Sequence, residues 1–356
     1  MPEISKLKEL KPSWDYLKET KLPIFIYGMG DGCLKLLREF GKYKIPIAGI
    51  FASDEFVRGH SFEGHLVHKL SEIEEALGCG NFVIALAFAA GYDSLIRRID
   101  EIDNRNILLA PDTDAIGVGA FTMDMLCDNI NKIESVYNSL ADEMSKQAYY
   151  NVLAFKITGE LHYLRTCTTT PDEAFENILK PTENEIYVDL GAYTGDTIAE
   201  LLSYTNGKYE RIYALEPNAR NFRKLKANTE NMDNCIIENA AAWNGEDILI
   251  FNPGGGRQSQ VSKKGIETKA TSVDILLKGE KATYIKYDVE GAEGQAIEGT
   301  TQTIKKYKPK LCVALYHRAA DVFELPLQIL DICPEYKLYV RHYPYYPAWE
   351  TNLFCV

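Results

Sequence analysis

The sequence predicts an α/β protein in which a smaller N-terminal α/β domain precedes a doubly wound sheet closed by an antiparallel hairpin. Apolar strands alternate with helical patterns between residues 23 and 109, and the alternation restarts at residue 185. The last two predicted strands, 337–341 and 351–355, are separated by nine residues. Because so short a connection cannot contain a crossover helix, these two strands are expected to be antiparallel.

The N-terminal part opens with a strand, a glycine turn and a helix. Residues 23–27 (PIFIY) lead into GMGDG at 28–32, and apolar residues at helical spacing follow. Further strands are predicted at 45–51, 82–88 and 107–109. Residues 112–179 lack strand signals and are expected to be helical. These patterns divide the chain into an N-terminal domain at 1–110, a helical bridge at 111–180 and a C-terminal domain at 181–356.

The C-terminal part contains five strand candidates before the closing pair. They are expected at 186–190, 211–216, 235–238, 284–289 and 311–316, with helices beginning near Thr194, Asn218, Ala292 and Asp321. An insert at 247–271 has two alternating stretches on either side of NPGGGRQSQVSK, which predicts a hairpin with a flexible loop.

The composition is that of an acidic, soluble globular protein. Acidic residues outnumber basic ones by 51 to 39, and the resulting net charge of −12 argues against nucleic acid and anionic lipid surfaces as partners. The longest apolar run, 82–90, is too short for membrane insertion, and no signal peptide is evident, so a cytoplasmic location is expected. The eight cysteines form no CxxC pair, which favours buried free thiols over a metal site. A homo-oligomer is left open.

The most informative motif is EIYVDLGAYTGDTIAEL at 185–201, where a strand ends and a helix begins. Gly191 and Gly195 allow a ligand to approach the backbone, and the helix N-terminus offers N–H donors. Asp189 ends this strand, and Glu216 ends the next, 21 residues beyond Gly195, where dinucleotide-binding folds grip a ribose diol. The DxGxxxG order differs from the GxGxxG of pyrophosphate binders, and its extra aspartate favours a cationic adenosine-type ligand such as S-adenosylmethionine. A glycine turn of another nucleotide fold is the alternative.

These residues resemble a known family. DLGAYTGDT and LEPNARN are similar to motifs I and II of class I S-adenosylmethionine-dependent methyltransferases, and YIKYDVEGAEGQAIEGT at 284–300 resembles the hallmark segment of the FkbM family. The usual form is KIDVEGAE, and Tyr287 replaces its isoleucine. The resemblance covers about 120–356 and includes TSVDILL, ALYHRAADVFELP, YKLYVRHY and WETNLF. It implies that S-adenosylmethionine contacts Asp189, Gly191, Tyr193, Gly195, Asp196, Thr197, Glu216, Pro217, Asn239 and Ala240, the last two near the adenine.

The resemblance further implies methyl transfer to a hydroxyl oxygen of a small-molecule or glycan acceptor, such as a sugar or another secondary metabolite. Candidate bases at the strand ends are Asp288, Glu290, Glu293 and His317. His317 is expected to abstract the proton, helped by Asp288 and Glu290, because imidazole titrates near neutrality. The alternatives are a structural histidine, carboxylates that cap the following helix, and a Mg²⁺ site, which ranks third because no further ligand pattern supports it.

The N-terminal motif IYGMGDG, with AGIFASDE and RGHSFEGHLVHKLSEI, resembles the Rossmann-like domain of nucleotide-sugar acetyltransferases. Its GxGxG spacing departs from GxGxxG, and Cys33 stands where the last glycine is expected, so no redox cofactor is predicted there. Two alternatives to a methyltransferase follow from this domain. One is a nucleotide-sugar-binding regulatory module with a vestigial methyltransferase domain, and the other is a nicotinamide-dependent oxidoreductase that uses Gly28 to Asp54.

Two further groups of residues are open to a functional or a structural interpretation. His60, His65 and His68 lack the spacing of a structural zinc site and are assigned to a solvated loop and strand. The aromatic residues of the closing hairpin either form a sugar-binding wall or pack the hairpin; they are Tyr343, Tyr345, Tyr346 and Trp349.

Overall fold

The computed structural model describes residues 3–113, 119–252, 260–261 and 265–356. Within these residues the chain forms two compact units. The first unit comprises Met1–Tyr137, Lys146–Thr169 and His342–Glu350, and the second comprises Asn138–Ser145, Thr170–Arg341 and Thr351–Val356. The units therefore interleave along the chain, whereas the sequence suggested a linear order of two domains joined by helices.

The first unit is built on a six-stranded sheet. Its strands are β1 (Ile24–Tyr27), β2 (Gly49–Ala52), β3 (Ser61–Phe62), β4 (His65–Lys69), β5 (Val83–Leu86) and β6 (Ile107–Leu109). They lie in the order β3-β4-β2-β1-β5-β6, and all neighbours are parallel except β3 and β4. Strands β1 and β5 are buried along their whole length, as expected for an interior parallel sheet.

Helices connect and follow these strands. In chain order they are α1 (Ser13–Glu19), α2 (Asp31–Tyr43), α3 (Leu70–Leu77), α4 (Asp93–Asp103), α5 (Met123–Asp128), α6 (Ile130–Ser139), α7 (Glu143–Thr158) and α8 (Leu161–Arg165). The prediction that 112–179 is helical is confirmed for the described part of that range. No helix of the described residues is both long and apolar enough to cross a membrane.

The second unit is built on a seven-stranded sheet. Its strands are β7 (Ile186–Leu190), β8 (Arg211–Leu215), β9 (Cys235–Glu238), β14 (Tyr284–Tyr287), β15 (Lys310–Ala314), β16 (Leu338–His342) and β17 (Thr351–Cys355). Their order is β16-β17-β15-β14-β7-β8-β9. The strands from β15 to β9 are parallel to their neighbours, and β17 is antiparallel to β15. Lys337 and Val356 exchange backbone hydrogen bonds beside β16 and β17, as expected for an antiparallel pair. The predicted α/β fold closed by an antiparallel hairpin is therefore confirmed.

Helices of the second unit pack between and beside these strands. They are α9 (Pro171–Ala174), α10 (Asp196–Tyr204), α11 (Ala219–Thr229), α12 (Val273–Leu277), α13 (Glu293–Glu298), α14 (Thr301–Tyr307) and α15 (Asp321–Ile332). The helices predicted near Thr194, Asn218, Ala292 and Asp321 are therefore present, within two residues of the expected starts.

The predicted insert forms a small separate sheet. Its strands are β10 (Ala241–Ala242), β11 (Asp247–Asn252), β12 (Gln260–Val261) and β13 (Ile266–Thr271). Strands β11 and β13 are antiparallel, which confirms the predicted hairpin, and β10 adds a parallel edge that the sequence did not suggest. Most of the predicted flexible loop lies outside the described residues.

The eight cysteines are free, as the sequence suggested. Their burial is not uniform, however. Five are buried, Cys235 is half-buried, and Cys79 and Cys127 are exposed.

Candidate active site at the carboxyl edge of the second sheet

The glycine loop after β7 surrounds a buried carboxylate. Asp189 is fully buried, and its Oδ2 accepts a hydrogen bond from Thr197 Oγ1 at the start of α10. Asp189 Oδ1 is also buried and has no hydrogen-bond partner among the described residues. Burial raises the pKa of Asp189 to about 6. The carboxylate therefore retains an unused acceptor in a low-dielectric environment.

Gly191 brings the ends of β7 and β14 into close contact. Its φ is +89°, and a Cβ placed on it would lie 2.0 Å from the carbonyl oxygen of Asp288. Any side chain at this position would push the two strand ends apart. Gly195, with φ +92°, begins α10 in the left-handed region, and Tyr193 between them also has a positive φ of +48°. The loop is therefore tightly shaped by its backbone, as the DxGxxxG spacing predicts.

Glu216 closes the other side of this loop. Its Oε2 accepts the backbone N–H of Tyr193 at 2.9 Å, and its Oε1 accepts the backbone N–H of Asn218 at 2.8 Å. Burial raises the pKa of Glu216 to about 7. Asn221 Nδ2 also donates to Oε1 at 3.4 Å, so the lone pair that a further donor can use is on Oε2.

The remaining residues implied for cofactor contact lie on the same edge. Asn239 follows β9, and its Nδ2 donates to the carbonyl oxygens of Glu216 at 2.8 Å and Pro217 at 3.1 Å. Ala240 is buried beside it. Asp196 is the first residue of α10. The structure thus gathers the ends of β7, β8 and β9 at one edge.

A half-buried ion pair lies at the end of β14. Lys286 Nζ is 2.9 Å from Asp288 Oδ2, and the Tyr316 hydroxyl donates to Asp288 Oδ1 at 3.0 Å. Burial alone would raise the pKa of Asp288, but Lys286 and His317 outweigh it and place this pKa at about 2. The sequence analysis missed Lys286, although its place two residues before Asp288 puts both side chains on one face of the strand.

His317 lies among three carboxylates. Its Nδ1 is 2.8 Å from Glu293 Oε1, and its Nε2 is 3.6 Å from Asp288 Oδ1 and 3.5 Å from Glu290 Oε2. Burial alone would lower the pKa of His317, but Glu293, Glu290 and Asp288 together raise it to about 10. At neutral pH the imidazole is therefore already protonated and cannot take up a proton. This argues against the expected base role, although the expected grouping with Asp288 and Glu290 is present.

Glu293 fixes the loop that joins β14 to α13. It is almost fully buried, and its Oε1 accepts the backbone N–H of Val289 at 2.9 Å in addition to its contact with His317. Glu290 in this loop has φ +55°. The carboxylate of Glu293 therefore shapes the loop that presents Glu290, and capping of α13 by Asp288 or Glu290 stays a prediction.

Asp321 adds a fourth acidic group behind His317. Burial and then Glu293 raise the pKa of Asp321 to about 7. Within the described part of the chain, no group of three or more His, Cys, Asp and Glu side chains is arranged to hold a metal ion.

In the first unit, the close contact between helix and strand is made by Gly32 and not, as expected, by the residue at position 33. A Cβ on Gly32 would lie 1.9 Å from the carbonyl oxygen of Ala87, so Gly32 makes the close helix–strand contact that the dinucleotide fingerprint assigns to its last glycine. Cys33 instead points into the core and is fully buried. The bulk of Cys33 is therefore no obstacle to this packing, and the absence of a redox cofactor stays a prediction.

The aromatic residues of the 342–350 segment have mixed roles. Tyr346 is buried in the core of the first unit, and its hydroxyl donates to Asp100 at 2.8 Å. Tyr345 and Trp349 stack on each other with 5.9 Å between ring centroids and are half-buried. Packing thus explains Tyr346, and a sugar-binding wall stays a prediction for Tyr343, Tyr345 and Trp349.

Comparisons with known proteins agree with this geometry. Residues 189–339 match the family model described as the methyltransferase FkbM domain. The fold is shared with a crystal structure of methyltransferase FkbM from Methylobacillus flagellatus KT, at 21% identity and a TM-score of 0.76, over 100% of this chain and 94% of that chain. No curated protein matches.

Two partial structural matches cover about half of the chain. Fibrillarin from Aeropyrum pernix in complex with S-adenosyl-L-methionine matches at 14% identity and a TM-score of 0.33, over 49% of this chain and 67% of that one. Precorrin-6y C5,15-methyltransferase from Geobacter metallireducens matches at 14% identity and a TM-score of 0.31, over 50% and 81%. The family model identifies residues 189–339 as a methyltransferase FkbM domain, and the full-length similarity shows the shared fold.

Proposed function

We propose that the protein is an S-adenosylmethionine-dependent methyltransferase that methylates a hydroxyl oxygen of a sugar, glycan or other secondary metabolite. The observation that best supports the cofactor is the pair of buried carboxylates on either side of the Gly191 loop. Burial raises the pKa of Asp189 to about 6 and of Glu216 to about 7. Such carboxylates are stabilised in their charged form by a cation and by hydroxyl donors.

The residues present fit this cofactor. Asp189 has a buried oxygen without a partner, which suits a positively charged group. Glu216 Oε2 accepts the backbone N–H of Tyr193 and keeps a lone pair for a ribose hydroxyl. Gly191 lets the loop that joins these two carboxylates lie against the carbonyl oxygen of Asp288, where any side chain would push the loop away. When bound, S-adenosylmethionine supplies an electrophilic methyl group on a sulfonium.

The reaction also requires removal of a proton from the acceptor hydroxyl. Asp288 is a weak base, because Lys286 and Tyr316 occupy its oxygens and its pKa is about 2. His317 is already protonated, because its pKa is about 10. We therefore assign proton acceptance to Glu290, with Asp288 and His317 as the charged groups that orient it. A positioned base of this kind typically contributes 10²–10⁴-fold to the rate.

The two alternatives are less well supported. A vestigial methyltransferase domain with a regulatory role has no need for an intact pair of buried acids at 189 and 216. An oxidoreductase that uses the first unit would bind a nicotinamide dinucleotide at Gly28 to Asp54. Mass spectrometry of small molecules released from the denatured protein tests that alternative, since co-purified NAD or NADP would support it.

Calorimetric titration tests the cofactor assignment. Charge-assisted hydrogen bonds contribute about 1.5–3 kcal/mol each, so Glu216→Ala is expected to weaken S-adenosylmethionine binding at least tenfold. Glu230→Ala is the matched control, because Glu230 is exposed at the end of α11. Equal affinities of the Glu216 variant and the unmodified protein would contradict the assignment.

The acceptor class needs a separate measurement. The protein is incubated with methyl-labelled S-adenosylmethionine and a panel of nucleotide-linked sugars and oligosaccharides. Mass spectrometry then locates the label, which is expected on a hydroxyl oxygen. Label on a nitrogen, carbon or carboxylate of the acceptor would overturn the proposed O-methylation and leave the cofactor assignment intact.

A further inference from the structure

One cationic side chain next in sequence to His317 has no hydrogen-bond or ion-pair partner among the described residues. Arg318 directly follows His317, and its Nε is buried without a hydrogen bond among the residues that the structure describes. Its guanidinium forms no ion pair or hydrogen bond within the described part of the chain, and its charge offsets part of the rise that burial causes in the pKa of Asp321, without a side-chain hydrogen bond between them. Burial of a donor without an acceptor is unfavourable, so buried donors in folded proteins normally have a hydrogen-bond partner.

The neighbouring charges are compensated within the site. Lys286 pairs with Asp288, and His317 contacts Asp288, Glu290 and Glu293. Among the described residues the Arg318 side chain forms no such ion pair, although acidic groups are abundant nearby. The carboxylate nearest to it in sequence, Asp321, accepts the backbone N–H of Arg318 at 2.8 Å rather than its side chain.

That backbone contact fixes the turn in which Arg318 lies. Asp321 is buried at the start of α15, so the turn from 318 to 321 is anchored on the core side. Arg318 is itself partly buried, with some of its side chain accessible to solvent. A guanidinium in this position is always charged and offers five donors in a planar fork that matches a carboxylate or a phosphate.

We propose that Arg318 binds an anionic group of the methyl acceptor. The acceptor is then a hydroxyl compound that carries a phosphate or a carboxylate, with its reacting hydroxyl at Glu290 and its oxyanion on Arg318. This inference rests on the proposed methyltransferase function and narrows its substrate class. In a chain of net charge −12, an anionic substrate needs such a dedicated cation, because the overall field repels it.

Calorimetric titration of the full-length protein tests the proposal without knowledge of the acceptor. The probes are inorganic pyrophosphate and malonate, with glucose as a neutral control, in the absence and presence of S-adenosylhomocysteine. We expect at least one oxyanion to bind, and Arg318→Gln to weaken that binding at least tenfold. Arg318→Lys should give an intermediate loss, because lysine keeps the charge but lacks the planar fork. Stronger binding of pyrophosphate would indicate a phosphorylated acceptor, and stronger binding of malonate an acidic one.

Arg223→Gln is the matched control, since Arg223 is an exposed arginine of α11 with no hydrogen bond or ion pair in the described residues. Equal oxyanion binding by the unmodified protein and Arg318→Gln overturns the proposal, and so does an equal loss in Arg223→Gln, which would reflect net charge alone. If Arg318→Gln fails to fold, the comparison of Arg318→Lys with the unmodified protein decides. Failure of S-adenosylhomocysteine to bind counts against the proposed function, whereas the titrations without it still decide the role of Arg318.

Discussion

At the scale of single residues, the site is defined by two carboxyl groups whose pKa values burial raises towards neutral pH. Burial raises the pKa of Asp189 to about 6 and of Glu216 to about 7. A carboxyl group whose pKa is raised in the folded state stabilises the fold below its unfolded pKa, and this contribution is lost as the pH rises through the folded value. Ionisation of these two carboxyl groups therefore lowers the unfolding free energy of the ligand-free protein between about pH 4 and pH 7. A bound cation would offset this loss.

His317 is predicted to stay protonated well above neutral pH. In NMR spectra its imidazole protons should titrate near pH 10, because Glu293, Glu290 and Asp288 outweigh the effect of burial on its pKa. His317→Gln identifies the resonance by removing it. A titration midpoint near 6.5 would contradict the arrangement of charges described here and would reinstate His317 as a base.

The same shift predicts a pH dependence of stability. The folded pKa of His317 is raised, so its contribution is complete below about pH 6.5 and is lost as the pH rises through about 10. The difference in unfolding free energy between the unmodified protein and His317→Gln should therefore shrink over this range. Urea denaturation at pH 6, 8 and 10 measures it, and a constant difference would contradict the prediction.

At the scale of elements, the N-terminal end of α2 is held against the sheet by one glycine. Gly32→Ala should cost about 1–3 kcal/mol of unfolding free energy, because its Cβ would lie 1.9 Å from a backbone oxygen of Ala87. Gly41 in the same helix has no atom within 4 Å of such a Cβ. Gly41→Ala should therefore stabilise the protein by about 0.5–1 kcal/mol, through helix propensity alone.

Thermal and chemical denaturation measure the unfolding free energies of Gly32→Ala and Gly41→Ala directly. Opposite signs are expected for the two substitutions of the same type in the same helix. Destabilisation of similar size in both variants would mean that general helix effects, and not the contact between Gly32 and Ala87, decide the result.

At the scale of the whole molecule, Arg341 joins distant parts of the chain within the second unit. It is 1% exposed, and its guanidinium bonds Asp142 Oδ2 at 2.7 Å and Glu173 Oε1 at 3.0 Å. It also donates to Ser145 Oγ at 2.7 Å. This network fastens the 138–145 segment to β16, which explains how that segment belongs to a unit whose main chain begins only at residue 170.

Removal of this guanidinium should be costly. Arg341→Leu is expected to lower the unfolding free energy by about 1–3 kcal/mol, because it removes a buried guanidinium and its bonds to the partly exposed carboxylates of Asp142 and Glu173. Arg211→Leu is the control, since Arg211 pairs with Glu280 at an exposed position and such pairs contribute about 0–1 kcal/mol. Denaturant titration compares the unfolding free energies of the two variants. A loss of equal size in both would show that the buried network stabilises the protein no more than an exposed ion pair.

The sequence by itself determined which side chains lie at the carboxyl edge of the second sheet. Asp189, Glu216, Asp288 and His317 each follow a strand whose apolar pattern is local, and parallel strands place their carboxyl ends together. The same local patterns predicted that the last two strands are antiparallel, and they located the hairpin insert. The glycine spacing likewise indicated the tight loop that Gly191 forms against Asp288.

Only the tertiary structure decided how these groups are charged and paired. The pKa of His317 depends on three carboxylates at 2.8–3.6 Å, and the pKa of Asp288 depends on Lys286 and His317, which come from different elements. The close contact at Gly32 and the network around Arg341 likewise join residues distant in sequence. Local patterns specify strands, turns and helix starts, whereas burial and interatomic distance arise from packing between elements, so protonation and long-range pairing cannot be derived from sequence order alone.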